Sequence, residues 1–258
     1  MHVAAYRALG MAHTYEKIET PPEELATRFA ALRDGTFAGL NVTVPLKTRA
    51  LAMADAADES AKRTGAANTL VVRDGKVVAH NTDAPALENE LGSDIRGRSA
   101  IVIGTGGAAR AAVAALADLG VARILVRARD VTHVDPLRGV APGVKIEAAD
   151  LRAPDREPDD LAAIIQATSC GMTGGPPGDV VADAVAWAEI AAPGDVVAVD
   201  VVYTPRETPF LVRARSAGLS ARDGIGMLVG QGALAFELWL GVAPPLDVMR
   251  SALLDQLA

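Results

Sequence analysis

Lys47 stands three residues after Val44 in the apolar run Gly39-Leu40-Asn41-Val42-Thr43-Val44-Pro45, and Asp83 closes Asn81-Thr82-Asp83 just after a second pair of β-branched runs. A lysine and an aspartate that each follow a strand end can converge on one ligand. Thr43, Asn68, Asn81 and Thr82 occupy the same strand ends, and such uncharged donors and acceptors suit a polyhydroxylated molecule. A second constellation is Gly104-Thr105-Gly106-Gly107-Ala108-Ala109-Arg110, which follows Ile101-Val102-Ile103 and opens an Ala-rich stretch. One glycine permits the tight turn, another lets the backbone approach a pyrophosphate, and the helix start behind them offers free N–H groups to it. About 20 residues on, a second strand end is expected to read the ribose substituent. There Ile124-Leu125-Val126 runs into Arg127-Ala128-Arg129-Asp130. The two arginines favour a 2′-phosphate and hence NADP, while Asp130 leaves NAD open.

Other chemistries lack their residues. His2, His13, His80 and His133 are scattered and Cys170 is the one cysteine, so no metal-ligand spacing exists and no metal site is expected. No Gly-x-Ser-x-Gly elbow occurs, and Ser169-Cys170 has no evident activating base. Cys170 reads as a small apolar residue.

The elements that must position these groups alternate short β-branched runs with Ala/Leu/Glu/Arg-rich amphipathic stretches, the pattern of an α/β protein. In the first lobe a strand is expected over 13–19. Pro21-Pro22-Glu23-Glu24 opens a helix running to about Arg33. Gly39–Pro45 reads as a buried strand, and Asn68–Asn81 as two strands about the Asp74-Gly75 turn. From Ser99 a βαβ unit begins, with strand 100–103, helix 108–119 and strand 122–126. Further strands are expected at 163–166 and 195–200, whereas 136–158 reads as loops around a short element. Two helices, 226–240 and 245–257, close the chain. The division expected is therefore 1–93 plus 225–258, a substrate-binding and catalytic domain with a mixed sheet, and 94–224, a Rossmann-type NADP-binding domain; the C-terminal helices return to the first domain.

Composition bounds the classes. In 258 residues, half of them apolar, a sizeable core is available. A formal charge of -7 disfavours nucleic acid as a partner. No run approaches a membrane span, and the first residues carry no secretory signal. One cysteine precludes an intrachain disulfide and fits a reducing, cytoplasmic setting.

Taken together, seven segments in order resemble the shikimate dehydrogenase family: Asn41–Lys47, Gly65-Ala66-Ala67-Asn68-Thr69, Asn81-Thr82-Asp83, Gly104–Arg110, Ala167–Met172, Asp200-Val201-Val202-Tyr203 with Thr208-Pro209, and Gly226–Gln231. The resemblance implies two α/β domains and reversible hydride transfer between NADP(H) and the 3-position of shikimate or 3-dehydroshikimate, in aromatic amino-acid biosynthesis. It makes Lys47 and Asp83 the catalytic pair. A lysine ammonium can stabilise and protonate the oxygen of a ketone under reduction, and Asp83 would orient it. It assigns Thr43, Asn68, Tyr203 and Gln231 to the substrate. Gly104, Thr105, Gly106, Gly107 and Ala108 fall on the diphosphate turn, Arg129 on the 2′-phosphate contact, and Thr168, Val201 and Gly224 on positions lining the cofactor.

The sequence departs from the family pattern at three places. Ala128-Arg129-Asp130 replaces Asn-Arg-Thr or Asn-Arg-Ser, which puts the NADP preference in question. Gln166 replaces an asparagine. Met1-His2 match residues just beyond a Ser-x-Ser clamp for the substrate carboxylate, so the expectation is a chain shortened at its start. Rival readings are a quinate or aminoshikimate-type dehydrogenase of the same fold, and a non-catalytic nucleotide-binding relative. A monomer or a homodimer fits equally.

Overall fold

The computed structural model describes residues 1–152 and 156–257. The chain divides into two compact units, Met1–Ala86 with Leu228–Ala258, and Leu87–Met227. Along the chain, α1 (His2–Ala8) and α2 (Leu25–Arg33) precede β1 (Gly39–Asn41), α3 (Lys47–Met53), β2 (Ala56–Ala57) and α4 (Glu59–Thr64). The hairpin β3 (Thr69–Arg73) and β4 (Lys76–His80) leads to α5 (Asp83–Leu91). Then come β5 (Ser99–Ile103), α6 (Gly107–Asp118), β6 (Arg123–Ala128), α7 (Asp135–Arg138), β7 (Lys145–Asp150) and β8 (Leu161–Gln166). The second unit continues with α8 (Asp179–Ala182), β9 (Val197–Asp200), α9 (Pro209–Ser216) and β10 (Ser220–Arg222), and the chain closes with α10 (Ile225–Leu240) and α11 (Leu246–Leu257).

The first sheet has the order β1-β3-β4-β2 and is mixed: β3 pairs antiparallel with β1 and β4, and β2 runs parallel to β4. Asp74 and Gly75, both at positive φ (51° and 73°), make the primed turn that a two-residue hairpin requires. Phe29 and Leu32 of α2 pack against Leu70, Val77 and Ala79. From α10, Trp239 Nε1 donates to Leu70 O at 3.1 Å, and a Cβ at Gly39 would collide with that indole. Burial of these side chains, each worth about 1.5–3 kcal/mol, fixes the strand ends from which the site residues project.

The second sheet has the order β10-β9-β8-β5-β6-β7 and every pair is parallel. Its central strands β5 and β8 are buried throughout, as expected for strands covered on both faces.

Three expectations are corrected here. Residues 13–19 form no strand: no described segment pairs with them, and β-propensity without a ladder partner does not make a strand. The strand expected over Gly39–Pro45 ends at Asn41, because Thr43–Leu46 closes a turn through Leu46 N to Thr43 O and leaves Val44 65% exposed. In the proline-rich stretch, Lys145–Asp150 is a full strand beside β6. It lies on the sheet edge, where charged side chains are tolerated and mask the apolar pattern. Ala153–Asp155 of that stretch lie outside the described residues.

Candidate active site

Two short helices carry the charged pair. Lys47 is the first residue of α3, and Asp83 is the first residue of α5, where the helix dipole favours a carboxylate. Lys47 Nζ donates to Asp83 Oδ2 at 2.6 Å, with the two side chains 16% and 6% exposed. The other carboxylate oxygen, Oδ1, accepts from Asn68 Nδ2 at 2.7 Å. Both oxygens of Asp83 are therefore engaged, and the lysine is held by a group that is itself held.

Asn68 is the hub. Its Nδ2 also donates to Thr82 Oγ1 at 3.0 Å, and its Oδ1 accepts from Thr82 N at 2.8 Å and from Thr69 Oγ1 at 3.1 Å. Asn81 Oδ1 accepts from Asp83 N at 3.0 Å while its Nδ2 donates to Ala66 O, also at 3.0 Å. Asn68, Asn81, Thr82 and Asp83 are all buried. A buried network this fully satisfied resists rearrangement. Thr82 Oγ1 donates to Gln231 O at 3.1 Å, tying α10 to the same cluster, and Gln231 Nε2 donates back to Leu228 O at 3.0 Å. Thr43 is exposed on the turn that precedes Lys47. Lys47, Thr43, Asn68, Asp83 and Gln231 thus belong to one unit. Tyr203 belongs to the other, on the loop after β9, and is 38% exposed.

In the second unit the chain turns from β5 into α6 through Gly104-Thr105-Gly106-Gly107-Ala108. Gly104 has φ +115°, and a Cβ there would lie 2.8 Å from Thr168 Cγ2 and 3.2 Å from Ala167 O. Only glycine fits that crossing. At Gly106, the residue before α6, a Cβ would meet nothing within 4 Å. That open space, together with the unpaired amides of the first helical turn, fits the diphosphate of a dinucleotide. Thr168 follows β8, Val201 follows β9, and Gly224 packs on Val201 so closely that a Cβ would lie 2.5 Å from Val201 O.

The arginines after the second strand separate. Arg127, expected to favour a phosphate, points into the protein at 2% exposure and makes a bidentate pair with Glu157 at 2.9 and 2.7 Å. It still lies within β6, where alternate side chains turn to opposite faces. Arg129 lies beyond the strand, exposed and without a protein partner among the described residues. Asp130 Oδ1 caps the next turn, accepting from Thr132 N at 3.0 Å and Thr132 Oγ1 at 2.6 Å, and these bonds hold its carboxyl below the usual range.

Asp200, Gln166 and Thr208, to which the sequence assigned no role, form one buried group. Burial pushes the Asp200 carboxyl up to about 6 despite hydrogen bonds from Thr208, Val202 N and Gln166. The signal for Thr208 was present in the Thr-Pro pair at the start of α9, where its hydroxyl caps the helix.

Comparison with known proteins places this geometry in a family. Residues 1–70 match the family model of the shikimate dehydrogenase substrate binding domain, and residues 224–254 match that of the shikimate 5'-dehydrogenase C-terminal domain. A shikimate dehydrogenase (NADP(+)) of Methylobacterium radiotolerans is 38% identical over 243 residues, covering 91% of this chain and 83% of that protein. The chain belongs to the shikimate dehydrogenase family. Among solved structures, the shikimate 5-dehydrogenase of Thermus thermophilus in complex with NADP(H) and shikimate is 33% identical with TM-score 0.80, over 97% of this chain and 91% of that one. The ligand-free 5-ketofructose reductase of a Gluconobacter strain has TM-score 0.86 at 29% identity, over 98% of this chain and 91% of that one. Among the described residues, no helix is long and apolar enough to cross a membrane.

Proposed function

We infer that this family member is an oxidoreductase that reversibly reduces 3-dehydroshikimate to shikimate with NADPH. The observation that carries the reading is the Lys47–Asp83 pair, 2.6 Å apart and braced by Asn68, in a chain 38% identical to a shikimate dehydrogenase (NADP(+)). NADPH supplies the hydride when bound. Gly104, Thr105, Gly106, Gly107 and Ala108 would hold its diphosphate, Arg129 its 2′-phosphate, and Thr168, Val201 and Gly224 its adenosine or nicotinamide.

The remaining chemistry belongs to Lys47 and its supports. As hydride reaches the ketone carbon, negative charge gathers on the oxygen; the Lys47 ammonium stabilises it and donates the proton. Asp83 holds Nζ in place, and Asn68 prevents the carboxylate from turning away. A group fixed before the reaction costs no reorganisation during it. Thr43, Asn68, Tyr203 and Gln231 are the proposed contacts to the ring hydroxyls and carboxylate. The proposed division of labour is a substrate-binding and catalytic domain, 1–93 plus 225–258, and an NADP-binding domain, 94–224. A cytoplasmic location fits aromatic amino-acid biosynthesis.

The test is NADP-dependent oxidation of shikimate followed by NADPH absorbance, with quinate as competing substrate, and 5-ketofructose reduction run in parallel. Shikimate is expected to give the highest kcat/KM. A higher value for quinate or 5-ketofructose would reassign the substrate, and no turnover of any would favour a binding protein without catalysis.

A further inference from the structure

Gln166 and Asp200, the last residues of β8 and β9, face each other across the ladder. With Thr208 they are essentially unexposed, at 0%, 0% and 1%. Gln166 Nε2 shares its hydrogens among Asp200 Oδ1 at 3.1 Å, Cys170 O at 3.1 Å and Thr168 O at 3.3 Å, while its Oε1 accepts from Thr168 N at 2.6 Å. Asp200 Oδ1 also accepts from Val202 N at 2.9 Å, and Oδ2 accepts from Thr208 Oγ1 at 2.6 Å. A side chain serving the sheet alone would bond within the sheet. Here three of the four Gln166 bonds go to the main chain of the loop after β8, and Asp200 reaches the main chain of the loop after β9. The first loop in turn lies on the glycine turn, since the Thr168 methyl occupies the space beside Gly104.

We propose that Gln166, coupled to Asp200, is a positioning residue for the cofactor: it fixes both loops at the strand ends and so presents Thr168 and Val201 beside the glycine turn in one arrangement. The proposal rests on reading Thr168 and Val201 as cofactor-facing. It predicts a larger effect on cofactor affinity than on substrate affinity, because Lys47, Asn68, Asp83 and Gln231 belong to the other unit and, of the proposed substrate contacts, only Tyr203 stands on a loop that Gln166 and Asp200 hold. Leucine at 166 has a similar volume but leaves Thr168 N, two loop carbonyls and one Asp200 oxygen short of a partner, and buried groups so stranded relax by moving. Asparagine keeps the amide yet is one methylene shorter, so it cannot hold the loop and Asp200 together as glutamine does.

The experiment compares the wild type with Gln166→Leu and Gln166→Asn by fluorescence titration with NADPH and by steady-state KM for shikimate at saturating NADP. The Leu variant is expected to raise the NADPH Kd on the order of tenfold, the Asn variant by less, with a clearly smaller rise in the shikimate KM in each. Unchanged NADPH affinity in a folded Leu variant, or equal rises in both constants, would overturn the proposal. If the Leu variant does not fold, Gln166→Asn and Thr208→Val carry the same comparison, and unchanged NADPH affinity in both overturns it. A wild type that fails to bind NADPH would instead bring down the functional reading on which the proposal stands.

Discussion

At the scale of single residues, the charged groups of each unit differ in whether the protein gives them a fixed neighbour. Lys47 has Asp83, Asp83 has Asn68, and Arg127 has Glu157. Arg129 has no protein partner among the described residues. Its replacement by alanine is expected to weaken NADP binding by about 1–3 kcal/mol, the scale of a charge-assisted contact, and to leave NAD binding nearly unchanged. Titration with both cofactors checks this, and equal losses would show that Arg129 does not read the phosphate. The contrast between the two arginines was not legible in the sequence. Both stand in one charged run, and only the end of β6 and the position of Glu157, thirty residues on, turn one inward and leave the other out.

At the scale of elements, the glycine turn and the segment after β8 meet at van der Waals limits. Gly104→Ala would force an L-residue to φ +115° and set a methyl 2.8 Å from Thr168 Cγ2, a backbone cost of about 1–3 kcal/mol before the clash is counted. A lower melting temperature and weaker NADPH binding are expected together; a variant that binds NADPH like the wild type would contradict the packing described. Elements with a strong local rule were readable in advance: the Asp-Gly hairpin, the Ala-rich helix after Gly106, and the two C-terminal helices. Elements defined by their neighbours were not. The charged edge strand β7 needed β6 beside it, and the segment 13–19 found no strand to pair with among the described residues. The short helices α3 and α5, which begin with Lys47 and Asp83, are too brief to show a 3.6-residue period.

At the scale of the whole molecule, a carboxylate that caps a helix also gives stability a dependence on acid. Burial alone would raise Asp58, but hydrogen bonds from His80, Ser60 and Ala61 N outweigh it and hold the carboxyl at about 2. A carboxyl depressed in the folded state contributes stability above its ordinary pKa, and that contribution is lost as pH falls from the ordinary carboxylate value of 3.8 through about 2. Asp58→Asn should therefore narrow the difference from wild type in denaturant unfolding as pH is lowered through that window. A stability gap independent of pH there would show that Asp58 is not stabilised as its hydrogen bonds indicate.

The two units also predict separable functions, since the lysine and the glycine turn are built from different parts of the chain. The most direct measurement is the turnover of Lys47→Ala alongside its NADPH affinity. A kcat lowered about 10²-fold or more, the scale of a lost positioned proton donor, is expected with the NADPH Kd unchanged; near-normal turnover in that variant would contradict the role proposed for Lys47.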